Sequence, residues 1–424
     1  MSVLVVGFDG APALLFERWL DELPTLRSLT ARGAYGVLRS CDPPITVPAW
    51  TSMTSSRSPG ALGLYGFRNR RDRSYDGPVL ADSRAVRAPR VWDVLSARGR
   101  DVIVLGVPQT YPVSPVNGVM VSCFQAPARA QTHPTELELG DYMTDVPAFR
   151  GHDKERIRRD AEETTDKRFR LAEQLLTTRP WDLFFMVEMG TDRIQHALWR
   201  SQDAVLDYYR LVDERLGRLL RLVDDDTAVL VVSDHGAKSM DGCFHVNEWL
   251  RRRGYLTFRA EPAEPTPLSP ELVDWERTVA WSDGGFHARV YMNAAGREPA
   301  GIVTASEYDG VRDELRSELA ELGEAHRPED LYDEVNGVAP DLLAYFGDLH
   351  VRCSALVGTD SLYSRENDTG PDEANHDHDG VYILAADGVR AGRRATREIR
   401  DVAPTILALL DEPIPAEMEG VPLA

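Results

Sequence analysis

Lysine is nearly absent from this 424-residue chain: only Lys154, Lys167 and Lys238 are present, and almost all positive charge is arginine. We assign that bias to codon composition rather than to chemistry. Positive charge is in deficit overall, since 48 Lys plus Arg face 68 Asp plus Glu and leave a formal net charge of −20. This balance excludes a protein whose main task is gripping nucleic-acid backbone or an anionic membrane surface, because both need concentrated positive charge. Cysteine is scarce as well. Cys41, Cys123, Cys243 and Cys353 are far apart and form no CxxC pair, which excludes a disulfide framework and a thiolate metal cluster. The opening MSVLVVGFDG has no basic n-region and no cleavage site, and its apolar run is too short to span a bilayer. A cytoplasmic protein is therefore expected. Gly7-Phe8-Asp9-Gly10 also lacks the G-x-G-x-x-G spacing of a dinucleotide-binding turn.

What is present is a core. Hydrophobic residues make up 43% of the chain, enough for one large α/β domain or two to three ordinary ones. Residues 3–8 form a continuous apolar run, as expected of a strand buried on both faces. A helix over 14–32 and a strand over 36–40 follow, which is the βαβ rhythm of an α/β sheet. The pattern predicts further helices over 91–98, 157–178 and 204–223, and strands over 101–106, 182–188 and 227–232. From about 243 to 347 the texture changes. Residues 261–270 hold four prolines and read as a loop, with a short strand over 289–292 and a helix over 307–322 beyond it. We read this stretch as an insertion or cap, giving a core of 1–242 and 348–424 and a second domain of 243–347. Residues 359–379 read as a long functional loop, before a last strand over 381–385 and a helix over 403–410.

Several acidic and histidine clusters fall at predicted strand ends or helix starts. Asp9 follows the first strand directly. Thr46 precedes Pro48, which suits the first turn of a helix and would set the hydroxyl beside free backbone N–H groups, although on this signal alone a simple helix cap is the favoured reading of Thr46. Asp192 and His196 are four residues apart and share one helix face, where both could bind one ion. Asp234 and His235 follow the most apolar strand, and Gly236 allows a tight turn there. In Asn375-His376-Asp377-His378-Asp379-Gly380, one histidine is a candidate ligand and the other solvated. Three carboxylates and three histidines suit two neighbouring divalent ions, most naturally Zn²⁺, with Mn²⁺ or Fe²⁺ as alternatives. Two such ions favour in-line displacement at phosphorus.

In this order the motifs resemble those of the alkaline phosphatase superfamily, in particular its type I phosphodiesterase and nucleotide pyrophosphatase branch. The matching residues are Asp9, Thr46, Asp192 with His196, Asp234 with His235, and His376 four residues before Gly380. Residues 293–303 and 401–410 also look like bacterial members of the branch. The resemblance implies a three-layer α/β/α sandwich with a mostly parallel sheet and an inserted cap. It implies that Asp192, His196 and His376 hold one ion, and that Asp9, Asp234 and His235 hold the other together with Thr46. Thr46 would be the nucleophile and form a phospho-threonine intermediate. His378 is left over, as a support or substrate contact. The chain departs from the family where an Asn normally follows the nucleophile helix: Phe67 falls there, and Asn69 is the nearby substitute. The family's Thr-Gly and His-Gly pairs are here Ser55-Ser56 and Leu62-Gly63.

The expected activity is hydrolysis of a phosphodiester or pyrophosphate bond in a small, nucleotide-like molecule. Phosphomonoesterase, phosphonate hydrolase and phosphomutase share the scaffold and stand as alternatives. No arginine stands beside Thr46 to clamp the extra charge of a monoester, although the fold could bring in Arg193 or one from the cap. A sulfatase fits least, because Thr46-Val47-Pro48-Ala49-Trp50 lacks its Cys/Ser-x-Pro-x-Arg pattern. A non-catalytic binding protein would have no need of all six ligands plus Thr46.

Overall fold

A computed structural model of the chain describes residues 1–127, 129–147, 149–367 and 370–423. Two compact units divide it, one of Met1–Leu62, Ala81–Ala237 and His376–Ala424, the other of Gly63–Leu80 and Lys238–Asn375.

The first unit is organised by a ten-stranded sheet. Its principal strands are β1 (Val3–Phe8), β2 (Ala34–Arg39), β3 (Val102–Leu105), β4 (Gly118–Val121), β5 (Thr132–His133), β6 (Leu183–Glu188), β7 (Ala228–Val232) and β8 (Asp379–Ala385). Across the sheet they run β2-β8-β7-β1-β6-β3-β4-β5. The centre is parallel: β1 lies between β6 and β7, with Phe8 opposite Glu188 and Gly7 opposite Val232. β8 is antiparallel to both β2 and β7. Its longer helices are α1 (Pro24–Arg32), α2 (Thr46–Ser55), α3 (Val91–Ala97), α4 (Lys154–Thr178), α5 (Gly190–Leu198), α6 (Gln202–Leu220) and α7 (Val402–Leu409).

Strand alternation sorts the core into two layers. Leu4, Val6, Phe8, Phe184, Met186, Val229 and Val231 pack with α1, α4 and α6. Their neighbours Val3, Val5, Phe185, Val187, Leu230 and Val232 pack with α2, α3 and α7. Because successive side chains leave a strand on opposite faces, a continuous apolar run feeds both layers, which is why β1 and β7 carry no polar residue. The result is the three-layer α/β/α sandwich expected from the resemblance.

Several elements differ from the sequence reading. The expected helix over 14–32 is broken: a π-turn at Leu15–Trp19 and a 3₁₀ turn at Leu20–Glu22 precede α1, whose first residue is Pro24. Proline has no N–H and clashes with the preceding turn, so it opens a helix and cannot continue one. The strand expected at 36–40 begins at Ala34. β4 was not anticipated, since four residues carry too little periodicity to read.

The second unit holds a seven-stranded, mostly antiparallel sheet in which Ala288–Met292 pairs Ala280–Asp283 and Leu342–Phe346. It takes in more chain than 243–347. Tyr75, from the Gly63–Leu80 excursion, stacks on Trp275 with ring centroids 3.7 Å apart and hydrogen-bonds Asn293 at 2.6 Å. Val351–Ser354 joins the same sheet beside Gly242–His245. The loop expected at 359–379 includes the short strands Tyr363–Ser364 and Ala374–Asp377, and its residues 368 and 369 lie outside the described residues. All four cysteines are free thiols. Among the described residues no helix is long and apolar enough to cross a membrane.

Candidate metal centre and nucleophile

Parallel strands that end together place their following residues at one edge of the sheet, where open α/β sheets bind ligands. Asp9 leaves β1, α5 begins two residues after β6, and Asp234-His235 leaves β7. α5 is tied to the end of β1, because Thr191 Oγ1 donates to Asp9 O at 2.7 Å and Gln195 Nε2 to Gly10 O at 2.9 Å. Seven side chains converge there, all in the first unit: Asp9, Thr46, Asp192, His196, Asp234, His235 and His376. None is more than 3% exposed.

They form two groups able to hold a cation, Asp192-His196-His376 and Asp9-Asp234-His235. In the first, Asp192 Oδ1 lies 3.3 Å from His196 Nε2 and 3.7 Å from His376 Nε2, with the two Nε2 atoms 3.3 Å apart. In the second, His235 Nε2 lies 3.3 Å from Asp234 Oδ2 and 3.8 Å from Asp9 Oδ1. The groups adjoin, as the rings of His235 and His376 stack at 3.7 Å. Thr46 occupies the first turn of α2, and its Oγ1 is 3.4 Å from His235 Nε2.

The donor set fits divalent ions. His376 Nδ1 is 2.9 Å from Pro44 O and His235 Nδ1 is 2.8 Å from Gly236 O. A carbonyl can only accept, so each Nδ1 carries the proton and each Nε2 turns its lone pair toward the carboxylates. Burial drives the His235 imidazole down to about 4, and burial together with the neighbouring His235 drives His376 well below its ordinary value, so both are neutral, as ligands must be. Burial, reinforced by the charge of Asp192, pushes Asp9 well up, and burial with the charge of Asp9 does the same to Asp234. Burial also pushes Asp192 upward, but His196, Arg193 and His376 outweigh it and hold that carboxyl well below its usual range. Asp9 Oδ1 and Asp234 Oδ2 are buried without a hydrogen bond. Buried carboxylate oxygens without donors are costly alone and are satisfied by a cation.

Other expected residues have engagements of their own. Asn69 belongs to the second unit, and its amide is engaged locally: Oδ1 accepts from Tyr65 N at 2.7 Å and Nδ2 donates to Gly66 O at 2.9 Å. Phe67 packs on Phe286. His378 pairs with Asp42 at 2.8 Å and is not in either ligand group. Arg193 is committed to Asp192 at 2.6 Å and to Asp145 at 2.9 Å, with Phe149 against its face.

Sequence reasoning missed Trp50 and Glu188. Trp50 Nε1 donates to Asp9 Oδ2 at 2.6 Å. Its signal was Gly7, a glycine inside a buried apolar strand, which marks a close approach: a Cβ there would lie 2.3 Å from Trp50 Cη2. Glu188 is fully buried, pairs with Arg168 at 3.0 Å and accepts from Gly190 N at 2.7 Å, which fixes the start of α5.

Over residues 3–379 the chain matches the family model described as type I phosphodiesterase/nucleotide pyrophosphatase. No curated protein matches it. Among solved structures, murine ectonucleotide pyrophosphatase/phosphodiesterase 5 is 14% identical with a TM-score of 0.62, over 98% of this chain and 96% of that one. The human counterpart is 14% identical with a TM-score of 0.61 over the same shares. An inactive threonine-to-alanine variant of the murine protein, in complex with AMP, is 13% identical with a TM-score of 0.62, also over 98% and 96%. At such identity the likeness establishes the fold, which is that of the alkaline phosphatase superfamily. With the family pattern spanning nearly its whole length, the chain belongs to the type I phosphodiesterase/nucleotide pyrophosphatase family and is a phosphoric ester hydrolase.

Proposed function

We propose that the chain hydrolyses a phosphodiester or pyrophosphate bond of a nucleotide-like small molecule, with Thr46 as nucleophile and two divalent ions, Zn²⁺ by preference. The observation that carries this reading is the position of the Thr46 hydroxyl, 3.4 Å from His235 Nε2, beside two adjoining groups of buried carboxylate and imidazole. Asp192, His196 and His376 would hold one ion, and Asp9, Asp234 and His235 the other together with Thr46. When bound, the ions supply Lewis acidity and charge neutralisation at the phosphoryl group. Thr46 Oγ forms the new bond to phosphorus, and the leaving oxygen departs with the first product. Water then cleaves the phospho-threonine, restoring the hydroxyl and releasing the second product. At the start of α2 the chain also presents free amides to a phosphoryl oxygen. The mixture of imidazole and carboxylate donors supports Zn²⁺, or Mn²⁺ and Fe²⁺, over Mg²⁺ or Ca²⁺, which favour oxygen alone.

Preference for a diester is supported by Arg193. A monoester carries an additional charge that needs a clamp, and this guanidinium is occupied by Asp192 and Asp145. The similar murine structure with AMP bound supports a nucleotide-like substrate. We place the protein in the cytoplasm, in keeping with its four cysteines, which form no disulfide. Rates on bis-p-nitrophenyl phosphate, p-nitrophenyl phosphate and a nucleotide pyrophosphate test the reading. Faster cleavage of the monoester would overturn the diester assignment.

A further inference from the structure

Each of the three carboxylates in the centre has one oxygen taken by a protein donor and the other turned toward an imidazole. Asp234 Oδ1 accepts from Gly10 N at 3.1 Å, and Oδ2 faces His235 Nε2 at 3.3 Å. Asp192 Oδ2 accepts from Arg193 Nη1 at 2.6 Å, and Oδ1 faces His196 Nε2 at 3.3 Å. Asp9 Oδ2 accepts from Trp50 Nε1 at 2.6 Å, while Oδ1 makes no hydrogen bond and points to His235 Nε2 at 3.8 Å. An indole N–H is a donor only, so this contact cannot reverse when Asp9 changes partner. The ring has no freedom to leave. It is fully buried, seated over Gly7, and edge-on to Phe185 at 6.2 Å.

Resting on the reading of these residues as metal ligands, we propose that Trp50 is a positioning residue that holds Asp9 in one-oxygen coordination and so sets both the affinity and the selectivity of the Asp9-Asp234-His235 ion. A carboxylate free to rotate offers both oxygens, as Ca²⁺ sites require. With Oδ2 engaged by Trp50, a single oxygen remains for a compact tetrahedral ion. Partners of this kind, one bond removed from the metal, typically alter affinity about 10- to 100-fold.

The test begins with metal content of the wild-type holoenzyme, which should be two ions per chain; a chain that binds none defeats the underlying reading, whatever Trp50 does. Trp50→Phe removes the N–H and keeps an aromatic ring. Chelator competition with Zn²⁺ should show one of the two sites weakened 10- to 100-fold, the other unchanged, and newly measurable Ca²⁺ binding at the weakened site. Two sites of wild-type Zn²⁺ affinity would overturn the positioning role and leave the two-ion reading standing. Equal weakening of both sites would also overturn it, since that is the signature of a general packing defect. Should Trp50→Phe fail to fold, replacement of Trp50 by benzothienylalanine, which has the indole shape without the N–H, gives the same discrimination.

Discussion

Thr46 and Trp50 are four residues apart on α2, so the proposed nucleophile and the side chain that fixes Asp9 sit on successive turns of one helix. Their roles separate cleanly on substitution. Thr46→Ala should lower turnover on the order of 10³-fold or more, while metal analysis still finds close to two ions per chain. Full activity in that variant would remove Thr46 from the mechanism. Asp192→Ala or His376→Ala should instead lose one ion, as read by elemental analysis, because each truncates the group around His196. At this scale the sequence was legible wherever chemistry is written as spacing. Asp192 and His196 are joined by helix periodicity, and Asp234 and His235 are adjacent. It was not legible where a donor comes from another element. Nothing in the order of residues says that the indole of Trp50 meets Asp9, or that Arg193 pairs with Asp145. The local engagement of the Asn69 amide, used within its own turn, is likewise revealed only by the backbone path.

α5 carries two of the proposed ligands, and its start is held by buried polar contacts rather than by a cap within the helix. Glu188, the last residue of β6, accepts from Gly190 N, Tyr208 Oη and Arg168 Nη1 at 2.7, 3.1 and 3.0 Å. Arg168→Met leaves that carboxylate buried without its cation, and the expected loss is about 3–5 kcal/mol in chemical denaturation. Losing both charges together, as in Arg168→Met with Glu188→Gln, should cost less than the single change. Gly190 is the second constraint. A Cβ there would fall 1.8 Å from Tyr208 Oη and 2.7 Å from Glu188 Oε1, so Gly190→Ala must displace the helix start. Destabilisation of about 1–3 kcal/mol is expected, with reduced occupancy of the Asp192-His196-His376 site as the companion readout. Long elements such as α4 and α6 were legible from their apolar stripes to within a few residues at each end, because a stripe repeats. The region before α1 was not, since an apolar stripe continues through Leu15–Glu22 while Pro24 prevents one continuous helix.

For the molecule as a whole, the net charge of −20 includes the centre's own carboxylates Asp9, Asp192 and Asp234. The two divalent ions proposed would outweigh those three charges and turn the centre positive, and so would draw in an anionic substrate. Loading should be coupled to protons. His235, driven down to about 4, is neutral above that pH, whereas Asp9 and Asp234 are held well above the ordinary carboxyl range, so ions should displace protons from carboxyls and Zn²⁺ affinity should rise with pH. Calorimetric titration of the metal-free chain in two buffers of different ionisation enthalpy should show net proton release. Zero release would mean that both carboxyls are already ionised without metal. Composition marked a change near 243, but the eighteen residues of Gly63–Leu80 carry no such mark, because their membership depends on Tyr75 reaching Trp275. Strand order has one more consequence, for the timing of synthesis. β8 comes from the C-terminal part of the chain, yet it lies between β2 and β7 and is the only principal strand joining β2 to the rest of the sheet. Until the ribosome has delivered β8, the segment leading into Thr46 has no seat beside His235. A chain that lacks residues 376–385 loses this strand and His376 together, and should show no hydrolysis.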